Sequence, residues 1–544
     1  MRRVFVAGLA VFSLAVVASG ASPADRVPAE PAAHPAWIGE LRIGARTMLT
    51  ELRFTSDQRT LRGAVAYPER GEEDVPMSDI SSTPGRVRFT WRDGTGQLAF
   101  DGRMSHGLLS GRVRSVNESG ILRLAPIVHL DRAAEERFTG YYEMSPGHLL
   151  SITSFPFGPV SLDYRSGQVR ALYASSPTQL FAGPAFQAPV PVVVRADLSR
   201  DAKTGAPALR WEDSTVGHAT VGLKLDLPRE EVRFSNGDVA LAGTLVLPRG
   251  KGPHPAIVRI HGAGGQTRRN TVDGFFAYHG VAYLSFDKRG TGKSTGDWRE
   301  VGLRDLADDV LAAVAFLRRR SDIDGSRIGI EAGSEGGWIA PLVATRDPDI
   351  AFIILKSCPV LDYIPEVLNE VEENAKVRGL NPESIAAALA FKQRTLTMLQ
   401  EGAALHDESW EEFRRFVQSH QAESWFPVVR ESLDRNTFEH KKTYLMSQIM
   451  TRQLWGRITM PVLALYGGHD TNVPAAKNVE ALKAELTRAH NPDCTITVFP
   501  TADHDGFETK HARLTATEMR YLDRLIPGVF DAELDWVLKR IAAQ

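Results

Sequence analysis

The chain has 544 residues, 43% of them hydrophobic, enough at roughly 150 residues per domain for two to four domains with real cores, so a disordered or fibrous protein is excluded. Lysine plus arginine (64) almost balances aspartate plus glutamate (66), and a formal net charge of −2 supplies no field to gather a polyanion; nucleic acid is not an expected partner. Two cysteines, Cys358 and Cys494, are too few for a disulfide scaffold or a thiolate metal cage.

Met1-Arg2-Arg3, the mostly apolar run Val4 to Val17 and the small residues Ala18-Ser19-Gly20-Ala21 have the order of a secretory signal, so residues 1–21 are predicted to be removed before Ser22. The expected product is exported, periplasmic or secreted, with no stable membrane insertion after cleavage; the alternative is an uncleaved anchor, for which the apolar run is short. Residues 22–36, rich in Pro and Ala without periodicity, read as a linker.

From residue 37 to 225 short alternating stretches are punctuated by Gly, Pro and Asp. Val87, Phe89 and Trp91 lead through Asp93-Gly94-Thr95-Gly96 to Leu98 and Phe100, which is the pattern of a hairpin. Similar segments follow at Leu108 to Val113, Ile121 to Leu124, Leu149 to Ile152 and Ser161 to Tyr164. One or two antiparallel β modules are expected, divided near the charged stretch Asp131 to Arg137. His106, His129 and His148 lack the paired spacing of metal ligands and read as structural or surface residues.

Beyond Leu227-Pro228 the pattern changes. Apolar runs at Ala256 to Ile260, Val281 to Phe286, Arg327 to Glu331, Ile350 to Leu355 and Val462 to Tyr466 alternate with helical stretches, the clearest from Arg304 to Arg320. Strands alternating with helices imply a mostly parallel sheet covered on both faces, with ligands at the carboxyl ends of its strands. Residues 226–544 are read as this α/β domain, interrupted at 359–456 by a helical insertion expected to cap the site. Within that cap Trp410, Trp425, Phe426 and Trp455 read as core and inter-helix packing, with a lining for an apolar acyl group as the alternative, and Glu366, Glu370 and Glu373 as a solvated acidic face that could instead receive a substrate ammonium.

The run Arg327 to Glu331 leads directly into Ala332-Gly333-Ser334-Glu335-Gly336, a serine on a sharp strand-to-helix turn. Ala332 stands where a glycine is usual, which tightens the turn by one methyl. A serine hydroxyl needs a base, and the base a carboxylate to orient it. Asp470 follows the strand Val462 to Tyr466, and His504 follows a last strand, Thr495 to Phe499. Ser334, Asp470 and His504 are the candidate nucleophile, acid and base. The rivals are Asp470 as a mere helix cap, His469 as the base, and Asp503 or Asp505 as the acid. The Gly-rich turn His261-Gly262-Ala263-Gly264-Gly265 offers the backbone N–H of Ala263, together with that of Glu335, as donors for an oxyanion, and His261 reads as structural.

In these residues the sequence resembles the α/β-hydrolase superfamily, especially its exported esterase-like and its prolyl oligopeptidase or serine aminopeptidase-like branches. The resemblance covers about Val232 to Gln544 and includes the loop Phe286-Asp287-Lys288-Arg289-Gly290-Thr291-Gly292-Lys293-Ser294-Thr295-Gly296. Gly292-Lys293-Ser294 is not a phosphate loop, because the glycine such a loop needs is replaced by Asp287. The resemblance implies ester, thioester or peptide-bond chemistry through an acyl-enzyme, with no metal or organic cofactor, on a small-molecule ester or short peptide.

The expected architecture is thus an α/β-hydrolase domain preceded by an antiparallel β-rich accessory region, and the expected activity is carboxylic ester hydrolysis. A serine peptidase, an acyl thioesterase and a non-catalytic binding protein are the alternatives. Cys358 closes one parallel strand and Cys494 precedes another, so both are expected to be free thiols.

Overall fold

The computed structural model describes residues 36–542 except 58, 59, 84, 106, 402–406 and 438–450, so the signal and His106 readings and the linker reading up to residue 35 lie outside the described residues, while Ala36 already belongs to the first strand. The described chain divides into two compact units, one of residues 36–226 and 514–528, the other of 227–513 and 529–542.

In the first unit eight antiparallel strands, from Ala36–Ile43 to Ser119–Ile127, close into a barrel, because the first strand pairs both with Arg46–Asp57 (Ile38 opposite Glu51) and with Ser119–Ile127 (Ile38 opposite Ala125). Closure removes the unpaired edges that an open sheet would expose. The period-two pattern fills the interior: Leu41, Leu52, Val65, Phe89, Trp91, Leu98, Phe100, Val113, Leu122 and Leu124 are all buried. Phe89 packs at 4.9 Å from Phe100 and 5.5 Å from Trp91. The indole N–H of Trp91 donates to the Tyr67 hydroxyl (2.7 Å), which donates to Asp93 (3.2 Å), so these buried polar atoms are matched.

The charged stretch after the barrel is a two-turn helix, Arg132–Phe138, started by the Asp131 carboxylate accepting from the Ala134 N–H (2.7 Å). A nine-stranded antiparallel sheet follows within residues 140–224. His148 is paired with Asp163 (2.8 Å) and His129 with Glu51 (3.3 Å), both structural roles. Residues 514–528, which the sequence assigned to the 226–544 domain, group instead with this unit. There Tyr521 donates to Glu40 (2.6 Å) and the Leu525 N–H to the Gly167 carbonyl (2.8 Å). Such long-range pairing leaves no local signal.

The second unit is built on an eight-stranded sheet in the order Arg229–Asn236, Val239–Val246, Ala282–Phe286, His254–Ile260, Ile323–Gly333, Ile353–Lys356, Val462–Gly467, Cys494–Phe499. The first two strands run antiparallel and the other six are mutually parallel. Central strands Ile353–Lys356 and Val462–Gly467 are buried throughout, as strands covered on both faces must be. Helix Leu303–Arg318 lays Leu306, Ala307, Val310, Ala313, Val314 and Leu317 against the sheet, and its buried Asp309 takes both arms of the Arg289 guanidinium (2.7 Å each). Cys358 is buried and Cys494 exposed, both free thiols.

Between Lys356 and Val462 the described elements are all helical: Tyr363–Val377, Pro382–Glu401, Asp407–Ser419, Phe426–Val429 and Arg452–Trp455. Phe391, Phe413, Trp425 and Phe426 form their own apolar cluster with Trp410 at its margin, whereas Trp455 is fully buried in the main sheet core. Among the described residues no helix is long and apolar enough to cross a membrane.

Candidate active site

The strand Ile323–Gly333 reaches the carboxyl edge of the sheet and turns at Ser334 and Glu335 into helix Gly336–Ala344. Ser334 has φ +51°, a left-handed conformation that a non-glycine residue adopts at a cost and keeps only when its surroundings impose it. Its N–H donates to the Lys356 carbonyl (3.1 Å) and its carbonyl accepts from the Gly337 N–H (2.8 Å), which fixes the turn and turns the hydroxyl outward. A side chain at Gly336 would put its Cβ 3.0 Å from the Cβ of Ala332, so the extra methyl at 332 is accommodated only because 336 has none.

Ser334 Oγ lies 3.2 Å from His504 Nε2, and His504 Nδ1 lies 2.8 Å from Asp470 Oδ2. With the proton on Nδ1 donated to Asp470, Nε2 is the acceptor for the serine hydroxyl. Asp470 is itself fixed, since its other oxygen accepts from the N–H groups of Asn472 and Val473 (2.8 Å each) and its side chain is fully buried. Two of the rivals, His469 and Asp503, are otherwise engaged. His469 Nδ1 bonds the Thr509 hydroxyl (2.8 Å), and Asp503 holds its own turn by accepting from the Asp505 and Phe507 N–H groups (3.0 and 2.8 Å).

Burial opposes a charge on His504, but the Asp470 carboxylate beside it, its hydrogen bond and the neighbouring Asp505 and Asp503 outweigh that and push the imidazole up to about 9. Asp505 is raised by burial and by the adjacent Asp503 charge. His261 moves the other way: burial, then the charges of Arg259 and Lys288, bring it down to about 3, and it hydrogen-bonds the Phe286 carbonyl as a neutral strand-end residue.

Ala263 and Glu335 flank the serine from two elements. The loop that carries Ala263 lies so close that a Cβ on Gly262 would sit 3.3 Å from the Ser334 Cβ and crowd it, and Gly264 has φ +82°, a conformation that favours glycine. Among the described residues, neither the Ala263 nor the Glu335 N–H is taken up by a protein acceptor. An anionic oxygen beside the serine would find both free.

The helical insertion expected to cap the site bonds to the loop that follows Asp470. Asn374 on helix Tyr363–Val377 donates to the Thr471 carbonyl (2.7 Å), next to Asp470, and Arg430 bonds both Glu370 (2.7 Å) and the Asn472 side chain (3.0 Å). Glu366 and Glu370 of the acidic face expected to be solvated are therefore packed. Glu366 is buried (4% exposed) against the Asn478 amide (2.8 Å), and burial pushes its carboxyl up to about 8. Sequence spacing placed these carboxylates on one face but carried nothing about what that face meets. It likewise missed Asn374, Arg430 and the buried Lys288–Glu335 pair, whose partners are distant in the chain. Among the described residues no group of three or more His, Cys, Asp or Glu side chains is placed to hold a metal ion.

Residues 251–509 match the family described as serine aminopeptidase, S33. The chain is similar to the quorum-quenching protein AidA of Acinetobacter baumannii, with 35% identity over 136 residues, 24% of this chain and 44% of that protein. It is also similar to the esterase EstD of Thermotoga maritima, with 24% identity over 273 residues, 48% of this chain and 57% of that protein. The chain thus spans about half the length of these two relatives. Among solved structures, an esterase from Pyrococcus furiosus aligns at 18% identity and a TM-score of 0.36, over 58% of this chain and 91% of its own. With a mostly parallel sheet, a strand–serine–helix turn and the match over residues 251–509, the C-terminal unit of this chain has the α/β-hydrolase fold and is similar over those residues to the serine aminopeptidase family.

Proposed function

We propose that the chain is an exported serine hydrolase that cleaves carboxylic esters through an acyl-enzyme. The hydrogen-bonded line from Ser334 through His504 to Asp470 carries this reading. His504 Nε2 takes the hydroxyl proton as Ser334 Oγ attacks the ester carbonyl, and Asp470 stabilises the imidazolium that forms. The carbonyl oxygen becomes an anion facing the N–H groups of Ala263 and Glu335. Collapse breaks the C–O bond to the alcohol, which leaves with the proton from His504. Water, deprotonated by the same imidazole, then attacks the acyl-serine, and the acid departs as Ser334 recovers its proton. These steps call on side chains and backbone alone.

A peptidase is the second reading, favoured by the family that residues 251–509 match. The cap weighs against an aminopeptidase. A substrate ammonium needs an available carboxylate, yet Glu370 is already paired with Arg430 and Glu366 is held toward its neutral form. Hydrolysis of p-nitrophenyl esters from acetyl to palmitoyl, beside aminoacyl p-nitroanilides, tests both. Ester turnover abolished by Ser334→Ala supports the esterase, and anilide turnover alone would replace it by a peptidase. No turnover in either series, together with no labelling by a fluorophosphonate, would retire both in favour of a binding protein. Export is proposed from residues 1–21 and is tested by sequencing the N-terminus of protein recovered from the periplasm and medium.

A further inference from the structure

Lys288 has 4% of its side chain exposed, yet it carries a charge into the wall of the site. Its ammonium donates to Glu335 Oε1 (2.7 Å) and to the Gly262 carbonyl (3.0 Å), and it lies 5.5 Å from the centre of the Trp298 ring. Two desolvated charges are no better for stability than a well-packed apolar pair of similar volume, so the fold alone does not account for this pair. Its position does.

A trans peptide points its C=O and N–H in opposite directions. Holding the Gly262 carbonyl from one side therefore aims the Ala263 N–H to the other. The second donor is set in the same way: the Ser334 carbonyl accepts from the Gly337 N–H (2.8 Å), which turns the Glu335 N–H away from the helix. Lys288 joins the two elements, since one ammonium grips the peptide that carries the first donor and the side chain of the residue that carries the second.

We propose that Lys288 is a positioning residue that sets the spacing of the Ala263 and Glu335 N–H groups, the two donors for the oxyanion. This rests on the serine hydrolase reading above and adds to it the part that keeps the two donors in register. The ion pair is neutral as a whole, so its effect is geometric. Interactions made only in the transition state change kcat and leave KM alone. Removing a single oxyanion donor lowers kcat about 10²–10³-fold, and misplacing donors that remain is expected to lower it about 10–100-fold.

The test measures ester kcat and KM, and the affinity of a trifluoromethyl ketone that forms a tetrahedral adduct, in Lys288→Met, Glu335→Ala, Glu335→Gln and the Lys288→Met/Glu335→Ala double variant, with folding checked by circular dichroism and a urea midpoint. In Lys288→Met, kcat and ketone affinity should fall by the same factor while KM stays within about twofold. Glu335→Gln, which still offers Lys288 an acceptor, should retain most of the activity that Glu335→Ala loses, and the double variant should be no worse than the poorer single one. Parental kcat in a folded Lys288→Met protein, recovery of parental kcat in the double variant, which carries no stranded Glu335 charge, a rise in KM without loss of kcat, or additive losses in the double variant would each overturn the proposal. If Lys288→Met does not fold, Glu335→Ala against Glu335→Gln decides, and equal losses in the two would overturn it. Ser334→Ala is measured in parallel: turnover that survives it would remove the serine hydrolase reading itself, whereas turnover abolished there but untouched at Lys288 removes only this inference.

Discussion

Asn374 Nδ2 donates to the Thr471 carbonyl at 2.7 Å, one residue beyond Asp470, so the first cap helix holds the loop that orients His504. The same amide donates to the Glu370 carbonyl at 2.9 Å, and Asn374 Oδ1 accepts from Arg430 at 3.4 Å. Cap and acid loop are one hydrogen-bonded assembly. Asn374→Ala removes all three of these bonds, of which only the one to Thr471 reaches the acid loop; its loss, on the order of 1 kcal/mol, is expected to lower kcat/KM about fivefold. Steady-state kinetics check this, and Asn374→Asp, which keeps an acceptor for Arg430 but loses the donor to Thr471, should resemble the alanine variant.

The proposed base works only when His504 is neutral. Because its value is raised to about 9, ester kcat/KM should climb with pH well past the ordinary imidazole range, with a half-maximum near 9. Asp505, raised to about 8, is ionised by then and helps hold the proton on His504. Asp505→Asn removes that charge, so the limb should move to lower pH. A pH–rate profile of both proteins is the check, and an unmoved limb would show that Asp505 does not act on His504.

Glu366 links pH to stability. Its ordinary carboxyl value is 4.5, and burial lifts it to about 8 in the fold, so the folded state holds the proton more tightly than the unfolded chain. The contribution is complete below about 4.5 and is lost as pH rises through 8. Across that window stability should fall by up to roughly 1.4 kcal/mol per pH unit from this group. Glu366→Gln still accepts from Asn478 and cannot ionise, so urea unfolding midpoints should decline less between pH 6 and pH 9 than in the parent protein.

Lys356, on the central strand Ile353–Lys356, lies between Glu331 (3.1 Å) and Glu533 (2.8 Å), all three at most 5% exposed. The two carboxylates keep its ammonium charged against the pull of burial. Lys356→Met leaves two buried carboxylates without their cation and is expected to destabilise the C-terminal unit by about 3–5 kcal/mol. Adding Glu533→Gln should restore part of that loss. Urea unfolding of the single and double variants measures both.

The α/β alternation beyond Leu227 was legible because central parallel strands are apolar on both faces while the helices between them are apolar on one. Phe89, Trp91, Leu98 and Phe100 were legible as one strand face because side chains alternate across a pleat. Ser334 stood out through its small neighbours, which a strand and a helix meeting at a sharp turn require. Asp470 is chosen over Asp503 and Asp505, and His504 over His469, from their places after two strands and their order in the chain. Each has a rival of the same chemistry on the other's loop, and the fold adds the distances, His504 lying 3.2 Å from Ser334 and 2.8 Å from Asp470.

Local periodicity and turn chemistry thus determined from sequence alone that an antiparallel β-rich region precedes an α/β domain with a mostly parallel sheet, and in which order serine, aspartate and histidine occur. Tertiary structure decided whatever depends on partners far apart in the chain: the closure of Ala36–Ile43 onto Ser119–Ile127, the assignment of residues 514–528 to the first unit, the burial of Glu366, and the reach of Lys288 to Glu335 and Gly262. The physical reason is the same in each case. A side chain's period along the chain says which face it occupies, but its energy depends on what the fold brings to that face.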